Sequence, residues 1–480
     1  MAEGSATLLA RDSRLGRRTL TAVTLGSGIA LLDGTVVNIA LRRIGEDLNA
    51  SLIELQWVVN GYMLTLAALI LVGGSLGDRL GRRRMYLLGI AGFALASGLC
   101  AAAQSPVQLV GFRMVQGLSA ALLVPGGLAL IQSTFRREDR AAAIGTWAGF
   151  SGIAAAVGPL LGGFLVEHGG WRWIFAINIP LCVLVLALGL AIPESKEGPV
   201  AGEQSGERPR RFDVAGAAAG VVMLGGSTYA LTSWRELAAL PLTLLVLASV
   251  GAIVLFAVLE RRPGAMMPVA LFTSRVFTAA NLMTFLVYGA LGALLFFLVI
   301  QLQVTGGYSP LAAGLSPLPL TLSMLLLSSR FSRLSAVSGP RLLMTVGPIM
   351  CAVGVLLLSG IDGEVVYLRD VALGMVLFAL GLAALVAPLT TAVLAAAPDE
   401  HAGVASGVNN AVARAGSLLA VAALPAAVGL AGADYQDPVA LTHGYRLAML
   451  TCASLLAAGG VVSWFGMRGT DPVPMQREDP

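Results

Sequence analysis

The chain has 480 residues, 56% hydrophobic and only 12% charged, with a formal net charge of +4 and a mean hydropathy of +0.82. Soluble globular domains carry about 25% charged residues, so the soluble classes are excluded and the composition is that of an integral membrane protein. The basic residues are dispersed among loops instead of forming a patch, which argues against a nucleic-acid partner.

A span needs roughly 20 apolar residues, and the absence of alternating ten-residue segments favours helices over a barrel. Apolar runs between charged or Gly/Pro breaks predict helices at 19–41, 54–77, 84–103, 107–133, 141–166, 172–193, 213–233, 238–259, 276–304, 311–330, 342–361, 370–396, 403–430 and 445–467, about fourteen spans. With 58 Gly and 22 Pro, many of these helices are expected to pack closely or to be interrupted. Arg11, Arg14, Arg17 and Arg18 before the first run imitate a signal peptide, but no small-residue cleavage site follows, so a retained first helix is expected.

Asp33 interrupts that first run. A carboxylate inside a span is costly enough that it is expected to face a cavity, to have a partner and to do work; a helix-capping role is the bland alternative. Arg113, in the fourth run, is the matching cation, because Asp33 is the one acid in the body of a span. Pairing them predicts either a proton site, switched as a water-filled cavity opens and closes, or a permanent structural ion pair.

If the N-terminus is cytoplasmic, inside segments hold 23 of the 31 basic residues and outside segments only Arg42, Arg43, Arg172, Arg235, Arg369 and Arg446. This bias predicts both termini in the cytoplasm and an even number of spans. The remaining two, Arg113 and Arg414, fall within spans.

An internal repeat divides the chain. Gly117-Leu118, Pro125, Glu138 and Ala143-Ile144-Gly145 recur as Gly381-Leu382, Pro388, Glu400 and Ala405-Ser406-Gly407. Parallel halves around a central site are a transporter arrangement. The expected organisation is an N-terminal six-helix bundle at 1–193, a cytoplasmic linker at 194–212, two extra helices at 213–260, and a C-terminal six-helix bundle with a short tail at 261–480.

Between the second and third runs lies Gly74-Ser75-Leu76-Gly77-Asp78-Arg79-Leu80-Gly81-Arg82-Arg83-Arg84, small residues mixed with switchable charge. It resembles the GxLaDrxGrr loop of the major facilitator superfamily. That likeness implies a gate made by Gly74, Asp78, Arg79, Gly81, Arg82 and Arg83; a purely topological basic cluster is the alternative. Arg113, Gln116 and Gly117 match the family's RxxqG. Gly149, Gly152, Gly158-Pro159 and Gly162-Gly163 offer a flat, kinkable helix surface and resemble the superfamily's antiporter motif. Trp171-Arg172-Trp173-Ile174-Phe175-Ala176-Ile177-Asn178-Ile179-Pro180 matches the WRWiFxiNvP opening of the sixth helix and reads as a family mark without chemistry of its own. Asp33, Thr35, Asn38, Ala40 and Leu41 meet the first-helix pattern lDxTvvNvALP, with Arg42 standing where proline is usual. The second half's gate loop is weaker, with Ser332 opposite Asp78, which suggests unequal roles for the halves.

Nearly the whole chain is thus similar to the fourteen-span drug:proton antiporter family. The resemblance implies an all-α polytopic membrane protein of the major facilitator fold, two six-helix bundles plus two extra helices, in the bacterial cytoplasmic membrane. It implies export of small hydrophobic or amphipathic compounds in exchange for protons, the alternative being a dedicated exporter of one metabolite, natural product or lipid. No cofactor is expected beyond the proton gradient. The partners are a small-molecule substrate, protons and lipids, and the expected state is a monomer. Trp57, Asn60, Tyr62, Gln116, Trp147, Phe150, Gln301, Asn409, Asn410 and Arg414 are the candidates for the substrate cavity, with core or lipid-facing roles as the alternative for each aromatic. Arg414 either attracts an anionic group or snorkels. An enzyme fits poorly. His168, His401 and His443 are scattered, and no HExxH or phosphate-binding glycine loop occurs. Cys100, Cys182, Cys351 and Cys452 fall in separate runs with neither disulfide nor zinc spacing and read as small core residues.

Overall fold

A computed structural model describes residues 8–193, 213–262, 269–398 and 402–468. The expected linker 194–212, the tail 469–480, and Glu400 and His401 lie outside the described residues. The chain runs α1 (Arg14–Leu48), α2 (Leu52–Leu80), α3 (Arg82–Ala101), α4 (Pro106–Thr134), α5 (Arg137–Gly169), α6 (Trp173–Ala176), α7 (Asn178–Gly189), α8 (Val214–Ser233), α9 (Ala239–Leu259), α10 (Arg275–Val304), α11 (Pro310–Leu315), α12 (Leu318–Ser338), α13 (Pro340–Leu358), α14 (Leu373–Ala395), α15 (Ala402–Ala427) and α16 (Pro438–Gly466). Among the described residues, 12 helices are long and apolar enough to cross a membrane. The long α5 and the shorter apolar pair α6–α7 continue the alternation, so fourteen spans remain compatible with the fold.

Local sequence explains where these helices start and break. Ser13, Ser51, Ser105, Ser274 and Ser309 each cap a helix start, and Ser51 forms a capping box with Glu54, whose Oε2 accepts the Ser51 N–H at 2.8 Å. Gly81 joins α2 to α3 at φ 104°, a conformation that side chains disfavour. Pro180 has no N–H for the carbonyl of Ala176, and the sixth run accordingly divides into α6 and α7 just before it.

The repeat is visible as packing. α1 lies on α5, α4 on α2 and α3, and α7 on α1 and α3; correspondingly α10 lies on α15, α14 on α12 and α13, and α16 on α10 and α13. A Cβ on either of the repeated glycines Gly117 and Gly381 would strike a backbone carbonyl, of Tyr62 and Gly347 respectively. The hairpin α8–α9 leans through α8 on α2 and α15.

One end of the bundle carries the arginine-rich loops and is called here the basic end; the other is the far end. Buried apolar side chains form two clusters. One merges the far end of α1–α7 with α10–α16, and the buried members of the other all belong to the first half, with Ala411 of α15 packed against them. The halves are therefore joined at the far end. Polar contacts say the same: Gln303 Nε2 donates to Ile39 O at 3.0 Å, Arg42 to Gln303 O at 2.6 Å, Tyr435 Oη to Ala50 O at 2.9 Å, and the Leu311 amide to Glu167 Oε2 at 3.1 Å. Arg42, the departure from the first-helix pattern, is one of these ties.

Gln56 makes the most instructive of them. Pro425 cannot donate to the carbonyl of Val421, four residues back in α15, and the buried Gln56 Nε2 of α2 does so instead at 2.7 Å, reaching Ala422 O at 3.1 Å as well. Gln56→Leu leaves that carbonyl unpaired only while the far end is closed, because water reaches it once the halves part. The expected loss of about 1–3 kcal/mol shifts the resting population toward the far-end-open state by a factor of about 5–150. Spin-label distances between residues 48 and 431 report that shift, and an unchanged distance distribution refutes it.

Candidate functional site

The structure brings Asp33 and Arg113 together. Both are 1% exposed, and Arg113 Nη1 donates to Asp33 Oδ2. Asp33 Oδ1 accepts from Gln116 Nε2 and from Asn178 Nδ2, each at 2.9 Å. Ser97 Oγ accepts from the same Gln116 nitrogen at 2.9 Å, and Gln116 Oε1 accepts from Arg113 Nη1 at 2.6 Å. Arg113 Nε donates to Val58 O at 3.1 Å, and its guanidinium lies 4.4 Å from the Tyr62 ring centroid and 5.7 Å from that of Phe175. Every group against the carboxylate is a donor, as an ionised acid requires.

Asp33 does not face an open cavity here, contrary to expectation. Tyr62 and Phe175, both buried, close over the pair, and Tyr62 is held by its hydroxyl donating to Ala30 O at 3.2 Å. The carboxylate is closed off from the surroundings in this conformation. Asn178 and Ser97 are the site residues that sequence reasoning missed. A polar amide two residues before a proline within an apolar run was a signal for Asn178, since the break at Pro180 presents it at a helix start; nothing marked Ser97. The Asn178 Oδ1 has no partner, so a turned amide offers the protonated acid an acceptor.

The antiporter glycines fit α5 between two partners. A Cβ at Gly158 would collide with Thr35 Oγ1, and one at Gly162 would lie 2.8 Å from Val36, two and three residues beyond Asp33 on α1. At Gly163 it would lie 2.6 Å from Leu311 Cα in the other half, and the Pro159 carbonyl closely meets Gly314. Gly149 has nothing within 4 Å, and Gly152 lies on the same helix toward the basic end. In the gate loop Asp78 pairs with Arg82 at 2.9 Å, Arg82 reaches Ala129 O at 3.5 Å and Arg83 donates to Leu190 O at 2.7 Å, while Arg79 is exposed and Gly74 faces Pro125.

The cavity candidates are divided. Tyr62 and Gln116 belong to the Asp33 site. Trp147 donates to Ser27 Oγ at 2.8 Å, joining α5 to α1, and Phe150 is 56% exposed. Trp57 packs against Tyr229 of α8 with ring centroids 6.1 Å apart. Gln301 is buried within the second half on Ile361 O and Thr442, and Asn409 donates to Asn281 and Thr284 of α10. Asn60 is fully buried with neither amide atom paired, one turn of α2 below Gln56. Arg414 and Asn410 lie between the halves on α15.

The profile of the Major Facilitator Superfamily matches residues 23–421. The tetracenomycin C resistance and export protein of Streptomyces glaucescens is 35% identical, over 85% of this chain and 74% of that protein. The multidrug resistance protein Stp of Mycobacterium tuberculosis is 34% identical, over 96% and 86%. Among solved structures, a bacterial homologue of the human lysosomal transporter Spinster, inward-facing and unoccupied, superposes with a TM-score of 0.67 at 17% identity, over 96% of this chain and 100% of that one. This last likeness is one of fold.

Proposed function

The chain belongs to the Major Facilitator Superfamily and is a multi-pass membrane transporter, not an enzyme, and from that premise we propose that it exports small hydrophobic or amphipathic compounds, drugs and antibiotics among them, in exchange for protons. The observation that carries the reading is the sealed Asp33–Arg113 pair, built wholly within the first half beside the α5 seam that joins the halves. Intramembrane charge of this kind is a default functional site. Protonation removes the charge that holds Arg113, so Asp33 occupancy and the position of α1 against α5 change together. Substrate then needs no contact with Asp33; it competes with the proton through the conformation of the halves.

On this reading the bundles 1–193 and 261–480 alternate in access as a monomer in the bacterial cytoplasmic membrane. The basic end and both termini are cytoplasmic, and the gate loop Gly74–Arg84 braces that end when it closes. That one relative is named for the export of a single antibiotic favours, as second reading, a dedicated exporter working by the same mechanism.

Purified protein in vesicles with a trapped pH dye tests the coupling. Adding amphipathic antibiotics, tetracenomycin C among them, is expected to dissipate an imposed pH gradient, with substrate accumulating only while the gradient lasts. Equal accumulation without a gradient, or accumulation without proton movement, overturns antiport.

A further inference from the structure

We propose that Arg414 is an anion-accepting subsite between the halves, and that the compounds taken include amphipathic aromatic acids whose ionised carboxylate or phenolate pairs with its guanidinium. The proposal deepens the exporter reading and rests on it.

Arg414 stands near the middle of α15, with about 18–20 Å of helix on either side, too far from either end for its head to reach the membrane surface. A guanidinium has five N–H donors, and the one side-chain bond of Arg414 is Nε to Asn410 Oδ1 at 3.1 Å. Among the described residues no carboxylate pairs with it. Arg113, by contrast, is spent on Asp33, Gln116, Val58 O and the Tyr62 ring.

The Tyr62 phenol of α2 and the Tyr288 phenol of α10 lie within electrostatic range of Arg414, one from each half. Tyr62 thus lies against Arg113 and within electrostatic range of Arg414. Exposure rises along this side of α15 from Val421, buried, through Arg414, half-buried, to Asn410 and Ser406, exposed, toward the basic end. An uncompensated cation in a span body calls for an anion, and Asp33 is not available to it. Arginine's planar fork matches a carboxylate in two parallel bonds, and the phenols in range of it suit an aromatic body.

The test compares naphthalene-2-carboxylate with its neutral isostere naphthalene-2-carboxamide, binding the full chain in lipid nanodiscs by titration calorimetry at neutral pH. The wild type is expected to prefer the carboxylate by at least about tenfold. Arg414→Gln is expected to lose that preference while still binding the carboxamide, which also shows that it is folded. Arg414→Lys keeps part of the preference, and decides the matter if Arg414→Gln does not fold. Equal binding of the two probes by the wild type, binding of neither, or a preference that survives in Arg414→Gln or is undiminished in Arg414→Lys overturns the subsite. Proton-linked flux of neutral amphipaths is measured beside it. If flux fails while the Arg414-dependent preference stands, the exporter reading falls alone; if flux stands without the preference, the subsite falls alone.

Discussion

Asp33→Asn is expected to abolish gradient-driven export, lowering it by more than about a hundredfold, because an amide of the same shape cannot carry a proton through the cycle. The substitution also leaves Arg113 buried without its counter-charge, and breaking one side of a buried pair costs about 3–5 kcal/mol. Loss of folding is therefore a competing cause, and the double variant Asp33→Asn/Arg113→Gln separates the two. With both charges gone, the amides of residues 33, 113, 116 and 178 can still bond to one another, so thermal stability is expected to recover toward that of the wild type. Coupling is expected to stay lost. Vesicle flux under a pH gradient and detergent melting curves read the two effects independently. Normal gradient-driven export by Asp33→Asn eliminates Asp33 as the proton carrier.

The α5 motif gives the second large effect, and it contains its own control. Gly→Ala within an exposed helix interior ordinarily stabilises by about 1 kcal/mol. At Gly149 the added methyl meets nothing within 4 Å, so Gly149→Ala is expected to export at wild-type rates. At Gly163 the same methyl lies 2.6 Å from Leu311 Cα and 2.8 Å from Pro310 O, backbone atoms of the other half that cannot rotate away. Overpacking there is expected to disfavour the far-end-closed state by about 1–3 kcal/mol. Export should fall by a factor of about 5–150, with the far end opening in spin-label measurements. Equal activity of the two alanine variants would falsify the assignment of this seam as the contact on which the halves turn.

Much of the site was legible because charge is so scarce in the chain. With one acid and two arginines inside span bodies, charge singled out Asp33, the RxxqG likeness favoured Arg113 over Arg414, and the structure joins the two. It did not foretell that the pair would be sealed behind Tyr62 and Phe175, nor that Asn178 would complete the shell. Arg42 reads in the sequence only as a residue standing where proline is usual, yet it holds Gln303 of the other half. Gln56 opens a family-like stretch of the second helix, but its task arises from Pro425, 369 residues later, whose missing N–H it replaces.

The polar candidates show the same divide. Gln301 and Asn409 are amides in apolar runs, as are Asn60 and Asn410, and the runs themselves do not distinguish them. In a soluble helix the polar face points to water, so periodicity tells which side is inward. In a span the lipid-facing and protein-facing sides are both apolar, and that information is missing.

Length of apolar run, basic-loop placement, proline position and the count of buried charges are properties of the chain alone. They determined the helices, their order, the repeat and the scarcity of charge that marks Asp33 and Arg113. Which face of each helix turns inward, which end of the bundle is closed, and which arginine keeps a free guanidinium are set by contacts between segments hundreds of residues apart. Those contacts depend on close backbone approach at a few glycines and on carbonyls that prolines leave unpaired, and so only the tertiary structure decided them.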